Sequence, residues 1–146
     1  MNAGPVAGLD PGRSKCGLVL TDPQRRRVVT ALVLPPEQAG EALEQWIGAG
    51  LVAVVLGNGT GSAAWRHRLE AHLPVLLVDE GGSTLAARQR FFQLEPPRGW
   101  RRVLPRGLRL PPRDIDDVVA QLLLERWLGH PLSRDGTTRL RTMPGR

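Results

Sequence analysis

Three apolar runs of strand length, residues 5–10, 16–21 and 28–34, follow one another with only "PGRSK" and "DPQRRR" between them. Parallel crossovers need a dozen or more residues, so connections this short predict an antiparallel meander. After Pro35-Pro36 the period changes. "EQAGEALEQWIGAG" sets Ala39, Leu43, Trp46 and Ile47 at helical spacing and runs out at Gly48 and Gly50, a helix followed by its stop signal. "LVAVVLG" is a continuous apolar run, as expected of a strand covered on both faces. "SAAWRHRLEAHL" then predicts a second helix with Ser62 at its N-cap, "PVLLVDE" a fifth strand, and "STLAARQRFFQL" a third helix capped by Ser83. The last helix is expected in "DIDDVVAQLLLERWL", with Ile115, Val118, Val119, Leu122, Leu123 and Trp127 apolar.

The order is three strands, then helix, strand, helix, strand, helix. Right-handed crossovers lay the fourth and fifth strands parallel beside the first, which gives an α/β fold. Its sheet is mixed and five-stranded, in the order 3-2-1-4-5, with helices on both faces. The carboxyl ends of strands one, four and five then open on one rim, where ligands of such sheets bind. Asp10, Gly57-Asn58-Gly59 and Asp79-Glu80 fall there.

At 146 residues with 41% hydrophobic content, the chain can bury a core as one domain. We divide it into residues 1–129, in which 94–113 form a basic loop rich in proline and arginine, and a flexible basic tail, 130–146. Twenty Lys and Arg against fourteen Asp and Glu leave a net charge of +6, and every cation but Lys15 is arginine. Arginine's planar fork matches phosphate, so the excess points to a polyanionic partner. Cys16 is the only cysteine, which rules out an internal disulfide and argues against a thiolate metal cage. The amino terminus lacks a signal-peptide pattern, and no apolar run approaches the ~18 residues that span a bilayer; a cytoplasmic protein is expected. His67, His72 and His130 are too scattered for a metal cluster. Trp46, Trp65 and Trp127 fit apolar helix patterns and are expected in the core.

What chemistry the rim can do depends on its acids. Asp10 ends the first strand, Glu80 follows the fifth, and Asp114, Asp116 and Asp117 open the last helix. Each has an ordinary reading: Asp10-Pro11-Gly12 is turn chemistry, and acids in a first helical turn offset the helix dipole. Brought together from separate elements, they would suit a hard divalent cation that takes oxygen ligands, and ions so held can activate water against a phosphodiester. Arg13 and Lys15 flank the first turn. From 88 to 113 there are eight arginines against one acid, Glu95, so Arg88, Arg90, Arg98, Arg101 and Arg102, with Trp100 among them, are candidate contacts to phosphates and bases. A solvated loop is the plainer reading of the same charge. "GNGTGS" could cradle phosphate on backbone amides, with Asn58 beside it, or serve as a simple turn.

"VAGLDPGRSKCGLVLTD", "VVLGNGTGS", "VDEGGSTLAAR" and "DDVVAQLLLERWL" resemble, in order, four blocks of the YqgF/RuvX family of ribonuclease H-like proteins, described as pre-16S rRNA nucleases and Holliday junction resolvase homologues. The resemblance runs from about residue 5 to residue 129. It implies a magnesium- or manganese-dependent endonuclease, monomeric or homodimeric, acting on pre-rRNA or branched DNA, with Asp10, Glu80 and Asp116 as catalytic and metal-binding acids and Asp117 as the alternative third ligand. Gly81 stands where the family usually has arginine, a place Arg88 or Arg90 would have to fill, and the block after the fourth strand is shortened. A non-catalytic module docking on ribosomal RNA is the competing class. An actin-like kinase shares the Asp-x-Gly hairpin, but 146 residues leave no room for its second lobe.

Overall fold

The computed structural model describes residues 3–96, 99–105, 110–111 and 113–143, the side chains of Trp100 and Arg101 excepted. Strands β1 (Val6–Asp10), β2 (Cys16–Thr21) and β3 (Val28–Leu34) form the expected antiparallel meander. Helix α1 (Pro36–Gly48), β4 (Ala53–Gly57), α2 (Ser62–Glu70), β5 (Val75–Val78), α3 (Ser83–Leu94) and α4 (Asp116–Leu128) follow. β4 pairs in parallel with β1, and β5 with β4. The order 3-2-1-4-5 is therefore observed, extended by a sixth strand, β6 (Arg139–Arg141), parallel to β3 at the far edge.

Period-two alternation sorts the strand side chains onto two faces. Ala7, Leu9, Leu18, Val54 and Leu56 pack with Ala39 and Leu43 of α1 and with Leu69 and Leu73. Val6, Val19, Val28, Ala53 and Val55 pack on the other face with Ala120 and Leu124 of α4. By the same alternation Asp10 belongs to the α4 face. Helix α4 is buried from Asp117 to Glu125 because α3 covers its outer side through Ala87 and Phe91 against Val118, Leu122 and Leu123.

Two glycines let α4 lie backbone-close to the sheet. A Cβ at Gly8 would stand 2.5 Å from the Ala120 carbonyl oxygen, and one at Gly17 would overlap the Asp116 carbonyl. Gly17 pairs with Asp10 across the β1–β2 ladder, so the start of α4 is seated next to Asp10.

Two expectations need correction and one gains detail. Ser62 and Ser83 are first helical residues, not caps; the caps are Gly61 and Gly82, whose left-handed φ values of 87° and 72° bring the chain in without a side-chain bond. The basic loop contains a 3-10 turn, Gly99–Val103. The chain from Leu132 to Arg141, expected to be a flexible tail, is docked: Leu132 is 3% exposed in the core, the Val28 amide donates to the Ser133 carbonyl at 2.9 Å, and β6 joins the sheet. No helix among the described residues is long and apolar enough to cross a membrane.

Candidate functional site

β1 delivers Asp10 to the end of the sheet, and its two neighbouring strands lack side chains there. Gly17 of β2 makes room for the Asp116 backbone, while a Cβ on Gly57 of β4, or on Gly59 just beyond it, would overlap the Glu80 carboxylate. Glu80 and Asp116 thus enter from opposite sides, and the Asp10 carboxyl lies within hydrogen-bonding reach of both. The space over the "GNGTGS" turn, expected to cradle phosphate, is filled at Gly57 and Gly59 by the Glu80 carboxylate.

Gathering acids in this way has an electrostatic consequence. Burial first, then the charges of Asp116 and Glu80, push the Asp10 pKa up to about 8. Asp116 is also raised, by burial first and then by Asp114 and Asp117, with Lys15 opposing. Two carboxylates side by side hydrogen-bond only if one carries a proton, and Glu80 Oε1 is buried without any hydrogen-bond partner. The acids form two pairs with Asp10 in common. Among the described residues no three His, Cys, Asp or Glu side chains close into a group that could hold a metal ion, so the meeting of all three acids around one cation, expected from the sequence, is seen only as these two pairs.

Asp117 is removed from the cluster. It is 0% exposed, with Oδ1 accepting from Arg113 Nη1 and Oδ2 from Arg134 Nη1, each at 2.9 Å. Both its oxygens are committed to guanidinium groups, so it is the structural counter-ion and Asp116 the outward acid. Asp117, Gln121 and Glu125 stand at i, i+4 and i+8, a polar stripe on the buried side of α4. Arg134 Nε donates to Gln121 Oε1 at 2.7 Å, and the Leu132 amide and Arg90 Nη1 both donate to Glu125 Oε2 at 2.7 Å. This network docks the segment after residue 129.

The candidate cations divide accordingly. Arg13, Arg88 and Arg102 are exposed. Lys15 is ion-paired with Asp114, beside Asp116. Arg90, expected to reach substrate, is instead held by Glu125. Arg98 lies outside the described residues, as do the side chains of Trp100 and Arg101. Asn58 is exposed, and its Oδ1 accepts the Glu80 amide at 3.2 Å, tying the β4 turn to the Glu80 loop. His67, His72 and His130 are exposed, and Trp46, Trp65 and Trp127 pack partly buried at the core margins.

The sequence reading missed Gly17 and Gly57 as the spacers of the site; a glycine inside an apolar strand, which often marks a close backbone approach, was the available signal. It also missed Arg126, whose Nη1 and Nη2 donate to the carbonyls of Asp79 at 2.7 Å and Gly81 at 3.0 Å.

No family model matches the sequence, and no curated protein matches it. Several solved chains show some similarity, two of them as follows. The ROK hexokinase from Thermus thermophilus has 24% identity and a TM-score of 0.37 over 60% of this chain; the chain spans only 37% of that protein's length. T. thermophilus RuvC, solved in complex with Holliday junction substrate, has 19% identity and a TM-score of 0.44 over 97% of this chain and 99% of its own. At these similarities neither neighbour's activity transfers to the chain.

Proposed function

We propose that this protein is a divalent-metal-dependent endonuclease that hydrolyses phosphodiesters in structured nucleic acid, with Asp10, Glu80 and Asp116 as its metal-binding and catalytic acids. The observation that carries the reading is the contact of Asp10 with both other acids, at the cost of a carboxyl pKa raised to about 8. A fold gains nothing in stability from massing like charges at a sheet end, whereas a cation beside Asp10 would relieve the repulsion in both pairs. The donor set fits magnesium or manganese: hard carboxylate oxygens, one of them, Glu80 Oε1, buried with no donor.

Asp10, the member common to both pairs, would be the principal ligand, with Glu80 and Asp116 on either side. When bound, the ion supplies Lewis acidity and a more acidic water. The chain's own residues do the rest. The Lys15 ammonium, held by Asp114, sits where a phosphate oxygen next to Asp116 would be met. The exposed Arg13, Arg88 and Arg102 offer phosphate contacts that fix a strand without reading its sequence. Within this class we favour processing of the 5′ end of pre-16S rRNA, on the strength of the sequence resemblance, over four-way DNA junctions.

The test is cleavage of matched rRNA-precursor and junction substrates with magnesium and with manganese. Wild type should cut, with the preferred substrate given by the ratio of rates, while Asp10→Asn, Glu80→Gln and Asp116→Asn should bind and not cut. Protein that binds both substrates and cuts neither would leave a non-catalytic binding module.

A further inference from the structure

We propose that Arg126, in the last turn of α4, is a positioning residue that holds Glu80 against Asp10; this rests on the metal-site reading above. Glu80 is followed by Gly81 and Gly82, the sequence with the greatest backbone freedom a loop can have, and Gly82 adopts a φ of 72°. Glu80 Oε1 is buried with no hydrogen-bond donor to fix it, and the group its carboxylate meets is another carboxyl, that of Asp10. Where that carboxylate stands is therefore set by the loop backbone.

Two side chains from other elements grip that backbone. Asn58 Oδ1 accepts the Glu80 amide at 3.2 Å. Arg126 forks across the residue, with Nη1 on the Asp79 carbonyl at 2.7 Å and Nη2 on the Gly81 carbonyl at 3.0 Å. The planar guanidinium spaces its two donors rigidly, so it fixes the direction of the Asp79–Glu80 and Gly81–Gly82 peptide planes that bracket the residue, which an ammonium on a flexible stem does less well. The grip is itself anchored, because the preceding residue, Glu125, is locked to Arg90, Gln121 and the Leu132 amide. Asp116 lies ten residues earlier on the same helix, about 15 Å along its axis. Helix α4 is thus a strut that presents one acid at its start and holds the loop of another near its end.

The experiment uses the full chain, freed of metal, and three readouts: Mn²⁺ affinity by calorimetry, thermal midpoint, and amide exchange of residues 80–83. Arg126→Gln should weaken Mn²⁺ binding by about 10- to 100-fold, the range for residues that orient a ligand from behind. It should speed exchange at residues 80–83 and leave the midpoint within a few degrees of wild type. Arg126→Lys, which keeps the charge, should recover only part of the affinity, and it carries the same test if the glutamine variant does not fold. On a Glu80→Gln background, Arg126→Gln should add no further loss. Wild-type affinity in both variants, or an equal loss with and without Glu80, would overturn the assignment. Wild-type Mn²⁺ affinity in Glu80→Gln alone would instead overturn the metal-site reading; the exchange rates would then decide the grip, with unchanged rates refuting it.

Discussion

Replacing Asp10 by asparagine should make the metal-free protein more stable. The Asp10 carboxyl has its pKa moved from 3.8 to about 8 by burial and by its acidic neighbours. A raised carboxyl pKa means that between about pH 4 and pH 8 the folded state holds a proton that the unfolded state has lost. Stability is therefore fullest below pH 4, falls through that window by about 1.4 kcal/mol per pH unit, and levels off above pH 8. At pH 7, some three units above the unfolded value, the penalty reaches about 4 kcal/mol for this group alone, a ceiling because three coupled acids share the proton. Asparagine keeps the shape and removes the charge. We expect a gain of about 2–4 kcal/mol at pH 7, or about 4–12 °C in midpoint for a chain of this size. The assay is urea and thermal unfolding of both proteins in chelator from pH 4 to 9, in which the effects of groups not coupled to Asp10 cancel in the difference. The curves should meet near pH 4 and separate as pH rises. Excess magnesium should raise the wild type by mass action and leave the variant unmoved. An Asp10→Asn protein less stable than wild type at pH 7.5, or an offset equal at pH 4.5 and pH 8, would refute the electrostatic account.

Asp117→Asn should lose about 3–5 kcal/mol in urea unfolding, because Arg113 and Arg134 would be left beside a neutral amide; an unchanged midpoint would contradict the counter-ion role. Gly17→Ala should destabilise by about 3 kcal/mol or more, since its Cβ meets the backbone of Asp116 and Asp117. Gly57→Ala meets only the end of the Glu80 side chain, so its main effect should be weaker Mn²⁺ binding in calorimetry, with a smaller change in unfolding midpoint. Ending the chain at residue 129 removes the buried Leu132 and the Arg134 partner of Asp117. That should lower stability by about 4 kcal/mol or more, read from the urea midpoint, whereas a dispensable tail would leave it unchanged.

Strand order was readable because it follows from short-range facts: connections too short to cross over, a change of period after Pro35-Pro36, and right-handed winding thereafter. The end positions of Asp10 and Glu80 were readable for the same reason. Asp116 and Asp117 could not be separated by spacing alone, since adjacent residues in a first helical turn both look like dipole partners. What separates them is which side of α4 faces Arg113 and Arg134, residues four before and seventeen after Asp117. β6 was not readable at all. Arg139-Leu140-Arg141 has no apolar run, its residues are exposed, and its pairing with β3 depends on the preceding segment being seated by Leu132 and Arg134. The caps were misplaced because serine is the commoner cap, while here the chain enters α2 and α3 through left-handed glycines.

Helix α4 brings the rest to one physical point. The same absence of side chains that lets its backbone lie on Gly8 and Gly17 also brings Asp116 beside Asp10, so this half of the charge cluster is a consequence of core packing, whereas Glu80 is placed by its loop. Relaxing the repulsion by moving Asp116 away would require lifting a helix buried from Asp117 to Glu125 off the sheet, losing apolar burial far larger than the electrostatic penalty. The fold can therefore hold the acids together without a cation, at reduced stability. This separates two kinds of substitution that a purely catalytic map would place together: at Asp10 stability and metal binding should move in opposite directions, because only the charge is removed, whereas at Gly17 they should fall together, because the packing that makes the cluster is what is lost.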